Sequence, residues 1–234
     1  TVQSILAKSG HINHKYLKES ESDKKAVIVV TANRGLAGGY NSNITRMIID
    51  EGFTKENTVV YAVGKKGREL LERKGYEIKA DYSEAINEPI YKDAKEICDD
   101  VLSAFADGEV GEIYLAYTVF KNTVVHEPQL IRLLPVEADD AAHETDGSEA
   151  LMTYEPSEEE ALDMIIPKYV CSLVYGALIE SVASENGARM QAMDSATSNA
   201  EEMISTLSLK YNRARQASIT QELTEIIAGA NAIE

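Results

Sequence analysis

The stretch "AVIVVTANRGLAGGYNSNITRMIID" (26–50) decides the fold class. Its opening, residues 26–32, is a continuous apolar run, as in a strand covered on both faces. Three glycines follow, Gly35, Gly38 and Gly39. Helical spacing then begins, with Asn41 or Ser42 available as an N-cap. Strand, glycine-rich turn and helix is the unit with which many proteins hold a phosphate. These glycines run Gly-x-x-Gly-Gly, which is not the dinucleotide pattern, and no Gly-Lys-Ser/Thr follows. The next apolar run, "TVVYAVG" (58–64), ends in Gly64 where a ribose-binding acid would stand. The loop therefore reads as a tight strand-to-helix connection in a nucleotide-binding-like fold, with no cofactor expected.

Outward from that unit the alternation continues. "KKGRELLERKG" (65–75) is a short helix closed by Gly75, and "YEIKADY" (76–82) alternates like a third strand. Residues 88–109 form a longer helix with Pro89 near its first turn. "EIYLAYTVF" (112–120) and "TVVHEPQLIRLLPV" (123–136) are two more strands, joined by only "KNT" (121–123), a link of three residues that requires a hairpin. The expected result is a three-layer, Rossmann-like α/β domain over residues 25–136. An acidic, turn-rich connector follows over 137–160.

From residue 161 to the end the pattern is that of one long helix. Beyond Pro167 about 60 residues carry no strong stop, a rod of roughly 90 Å. Met193, Ala196, Ala200, Met203 and Leu207 step by 3 and 4, as in the seam of a coiled coil. Ile219, Leu223, Ile226, Ala230 and Ile233 repeat the steps on a shifted phase, which implies a local change of winding. A domain of this size has a radius of gyration of about 13 Å. Most of such a rod must therefore project and find a partner. The short helix end at residues 1–12 is the only companion in the chain, so the partner is expected from a segment outside this sequence or from another subunit.

Composition excludes several functions. The net charge of −16 argues against nucleic acid or an anionic lipid surface as the main partner. Two cysteines, Cys98 and Cys171, sit among apolar neighbours in predicted helices, which fits a reducing compartment. The histidines, His11, His14, His126 and His143, have no metal-ligand spacing. No apolar run approaches the ~20 residues of a membrane span, so no direct membrane insertion is expected.

"ITQELTEIIAGANA" (219–232) carries Ile219, Thr220, Glu222, Glu225, Gly229 and Ala230 in an order that resembles the signature of the gamma subunit of F-type ATP synthases. "SENGARMQAMDSATSNAEEMI" (184–204) and "TANRGLAGGYNSNI" (31–44) are similar to the same family. The resemblance implies an α/β domain with N- and C-terminal helices wound into an antiparallel coiled coil, the central rotor shaft. In this sequence most of the N-terminal helix is missing. The implied function is non-catalytic: coupling proton flow through a membrane rotor ring to ATP synthesis or hydrolysis at the catalytic beta subunits. The implied partners are the alpha and beta subunits of the head, the epsilon subunit and the rotor ring. The implied location is peripheral, on the cytoplasmic face of the bacterial cell membrane. Arg215, Gln216, Thr220, Glu222 and Glu225 would meet loops of the beta subunits, with Arg189 as a further contact at mid-shaft. Tyr154 and Glu155 would lie near epsilon or the rotor ring. A dimeric coiled-coil adaptor with a non-nucleotide-binding α/β head is the alternative.

Overall fold

A computed structural model of the chain describes residues 14–17, 22–136 and 157–232. The expected helix remnant at 1–12 and most of the 137–160 connector lie outside the described residues, as do Tyr154 and Glu155. By contact the chain divides into a unit ending at Gln191 and a second unit, Ala192–Glu234.

The first unit is built on a five-stranded sheet. In chain order it contains β1 (Lys25–Val30), α1 (Tyr40–Asp50), β2 (Thr58–Val63), α2 (Lys65–Arg73), β3 (Glu77–Asp81), a 3-10 turn (Ser83–Ile86), α3 (Tyr91–Ala106), β4 (Glu112–Phe120) and β5 (His126–Leu134). The strand order is β3-β2-β1-β4-β5, with β1 at the centre. Pairings among β1 to β4 are parallel, and β5 runs antiparallel to β4. The hairpin expected from the three-residue spacer is present. Its turn is fixed by Asn122, whose Oδ1 accepts the N–H groups of Val124 (2.9 Å) and Val125 (2.8 Å).

Side chains alternate between the two faces of the sheet, and each face meets its own helices. Val27, Val29, Val60 and Ala62 pack with Ile44, Ile48 and Leu71 of α1 and α2. Ile28, Val30, Tyr61, Val63 and Leu115 pack with Ile97, Val101 and Phe105 of α3. The second face is finished by α4 (Glu158–Asn231), a 74-residue helix with Pro167 inside it. Leu162, Ile166, Val170, Val174 and Leu178 recur every four residues along α4 and belong to that same core. The sequence reading gave the whole of 161–234 to the shaft. In the structure the first stretch of that helix is instead a layer of the α/β unit. One side of the rod is thus covered by its own sheet as far as the mid-180s, and this shortens the part that needs a partner.

By length and composition α4 also contains an apolar window long enough to cross a membrane, which counting uninterrupted runs did not flag. Of that window 39% is buried inside the structure. The four-residue stripe facing the sheet accounts for the apolarity without a bilayer.

Candidate functional site: the glycine loop and the long helix

The loop after β1 is where a doubly wound sheet would bind a nucleotide, because β2 lies on one side of β1 and β4 on the other. Here that crevice is filled by protein. Tyr40, the first residue of α1, is buried and donates its hydroxyl to the Ser181 carbonyl of α4 (3.0 Å). Ser184 donates its hydroxyl to the Thr118 carbonyl of β4 (3.1 Å). Burial pushes the Tyr40 hydroxyl far above its ordinary pKa, so it remains a donor throughout the accessible pH range. Ala32, Ala37 and Tyr40 form a small apolar cluster against Ala188.

The N-terminus of α2 is likewise satisfied from within. The N–H of Lys65 goes to Asn33 Oδ1 (3.0 Å), that of Lys66 to the Ala32 carbonyl (3.0 Å), and that of Gly67 to Thr31 Oγ1 (2.9 Å). The first N–H groups of α2 are thus satisfied by the loop after β1. Gly64, the residue standing where an acid was sought, has φ +110°, and a Cβ there would lie 2.1 Å from the Thr31 carbonyl oxygen. Close approach of β1 and β2 at their carboxyl ends dictates this glycine. Neither residue proposed as the α1 cap serves as one. Gly39 occupies the N-cap without a side-chain bond, and Asn41 Oδ1 accepts the Ala32 N–H instead (2.8 Å).

From Ala192 onward every described residue is exposed except one half-buried position, Ala192 itself. Met203, Leu207, Ile219, Leu223 and Ile226 are 64%, 56%, 50%, 54% and 67% exposed, values at which no apolar side chain has found a core. On a helix turning about 100° per residue, the stripe Met193–Leu207 and the stripe Ile219–Ala230 lie on faces roughly 130° apart. The helix runs unbroken through the change of phase.

The residues singled out on this segment separate into groups. By the same rotation, Arg215 and Glu222 fall along one border of the Ile219–Leu223–Ile226–Ala230 stripe. Gln216 and Thr220 fall along the other border, and Glu225 stands away from both. All five are exposed. The Thr220 hydroxyl is spent within the helix, donating to the Gln216 carbonyl (2.8 Å), and Glu225 accepts from Gln221 Nε2 (3.0 Å). Arg189 lies in the first unit and is paired with Glu185 one turn earlier. It lines a cleft with Asn33, Arg34, Asn87 and Asn186. Among the described residues no group of three or more His, Cys, Asp or Glu side chains could hold a metal ion. The contacts that sequence reasoning missed are Tyr40 with Ser181 and Ser184 with Thr118.

A sequence model of the family described as ATP synthase matches residues 1–233. The chain is 66% identical to the ATP synthase gamma chain of Lachnoclostridium phytofermentans, over 100% of this chain and 82% of that protein. This chain belongs to the ATP synthase gamma-chain family. It is also 42% identical to the gamma chain of Alkaliphilus metalliredigens, with the same coverage. The sodium ion specific gamma chain of Acetobacterium woodii is 41% identical, again over 100% of this chain and 82% of that one. The fold of this gamma chain is also found in solved structures of ATP synthases. A chain of the Euglena gracilis mitochondrial ATP synthase superposes with a TM-score of 0.67 over 99% of this chain and 84% of its own length, at 18% identity. A chain of the Tetrahymena thermophila central stalk gives 0.62 over 84% and 86%, at 23% identity. A gamma chain is a non-catalytic subunit, the central rotor stalk of a peripheral assembly on a membrane-bound complex, and rotary coupling is its function.

Proposed function

We propose that residues 192–231 form the part of the rotor that meets the catalytic head, wound with a second helix into an antiparallel coiled coil. The observation that carries this reading is the length of unbroken helix whose apolar residues are all exposed. A shaft has no active site. It acts by favouring a different conformation in each catalytic subunit as it turns. Arg215 and Gln216, on opposite borders of the terminal apolar stripe, are the residues that grip the beta subunits. Arg suits the role because its planar fork bonds a carboxylate through two donors. Thr220 and Glu222 lie beside that contact, Glu225 on another face of the helix adds a further one, and Arg189 adds one on the same helix just before the shaft segment. The apolar stripe between the two borders turns against the head as a smooth bearing. Tyr154 and Glu155, outside the described residues, are proposed contacts of epsilon or the rotor ring.

The test is the double variant Arg215→Ala with Gln216→Ala in the assembled complex. Coupled ATP synthesis is expected to fall while the complex still assembles. Unchanged synthesis would remove these residues from the coupling contact. The competing reading, a dimeric adaptor, requires a stable twofold seam along 192–231, and light scattering of the full-length chain separates the two.

A further inference from the structure

We propose that Tyr40, Ser184 and Gly187 are the key that fixes the rotational setting of α4 against the sheet of the first unit. The inference rests on the rotor reading above and concerns where torque passes between helix and sheet. From Leu162 to Leu178 the residues of α4 that join the core against the sheet are apolar. Such contact is non-directional and carries no bond that points to one rotational setting of the helix. At Ser181 and Ser184 the chemistry changes. Tyr40, at the end of the loop after β1, grips the backbone of α4 through the Ser181 carbonyl. Ser184 reaches the other way, from α4 to the backbone of β4 at Thr118.

The two bonds lie three residues apart along the helix, one to Tyr40 at the start of α1 and one to Thr118 of β4. Both bonds are directional, so a roll of the helix about its axis stretches or bends them. Tyr40, Thr118, Ser181 and Ser184 are all buried, so water does not compete for either bond. One turn further on, the helix face at Gly187 sits against the ring of His126, the first residue of β5. A Cβ at Gly187 would come 2.4 Å from His126 Nε2. Two directed bonds and a flush contact thus close the unit just before its end at Gln191.

The experiment uses the full-length chain in the assembled complex. The head is immobilised and stalled, a bead is fixed to the α/β unit, and the angular fluctuations of the bead report torsional stiffness. The double variant Tyr40→Phe with Ser184→Ala is expected to lose stiffness while the ATPase rate is retained. Val174→Ala, which truncates a fully buried apolar contact of the same helix, is expected to lower thermal stability and leave stiffness at the wild-type value. Unchanged stiffness in the double variant would overturn the key, as would an equal loss in Val174→Ala. Wild-type complex that does not rotate under ATP before it is stalled would overturn the rotor reading itself, and the key with it.

Discussion

One helix passes through two environments. Between Leu162 and Leu178 its apolar side chains recur every four residues and are buried. Between Met193 and Ile227 they recur in steps of three and four and are exposed. Neither stretch is more apolar for a functional reason. They differ in what covers them: the first completes a domain and the second waits for another chain. The same substitution should therefore have opposite consequences in the two places.

The largest contrast is in stability. Ile166→Ala removes a fully buried side chain and should cost about 2–5 kcal/mol. Ile226→Ala, in the exposed stretch, should change the stability of the isolated chain by no more than about 0.5 kcal/mol. Denaturant unfolding of both variants checks this, and equal losses would break the comparison. Gly64→Ala tests the sheet end itself. Its Cβ would meet the Thr31 carbonyl at a left-handed φ, and overpacking with backbone strain should cost about 3 kcal/mol in the same assay.

Next in size is an effect visible only in the complex. Leu223→Ala should be silent in the isolated chain and should weaken assembly with the head by about 1–3 kcal/mol, the transfer value of a buried leucine. Titration of the full-length chain against the alpha and beta subunits measures it. Silence there would mean that the terminal stripe meets nothing.

The smallest effect sharpens the root of the helix. Lys15 bonds the Asp163 carboxylate (2.8 Å) and holds its pKa below the usual carboxylate range. A depressed folded-state pKa stabilises the protein above the unfolded value near pH 4, and that stabilisation is lost as pH falls through the folded value. Asp163 is half-exposed, so solvent screens the pair and the contribution is about 0–1 kcal/mol. Stability measured between pH 6 and 2 should fall less steeply in Asp163→Asn than in the wild type, and parallel curves would dismiss the pair.

Much of the α/β layer was legible because local patterns and tertiary contacts agree. Continuous apolar runs became strands buried on both faces, and the three-residue spacer became a hairpin. The absence of an acid at Gly64 was visible, but its cause was not, since the Thr31 carbonyl lies more than thirty residues away. The root of α4 was misassigned for a related reason. Apolar spacing of 3–4 residues marks a helix face without saying whether a sheet or another helix covers it. Tyr40 and Ser181 are 141 residues apart in sequence, and no periodicity links a hydroxyl to a distant carbonyl. Arg215, Gln216, Thr220, Glu222 and Glu225 came from family resemblance alone. Their sorting onto two borders and an outlying position follows from spacing at 100° per residue, once the segment is a single continuous helix.

The central claim is that the exposed half of this helix belongs to a rotor and not to a symmetric pair. Reconstituting the full-length chain with alpha and beta subunits, and counting copies by mass while measuring ATPase activity, tests it most directly. The account requires one copy per active complex. A stable dimer of the chain joined along residues 192–231, with no complex formed, would contradict it.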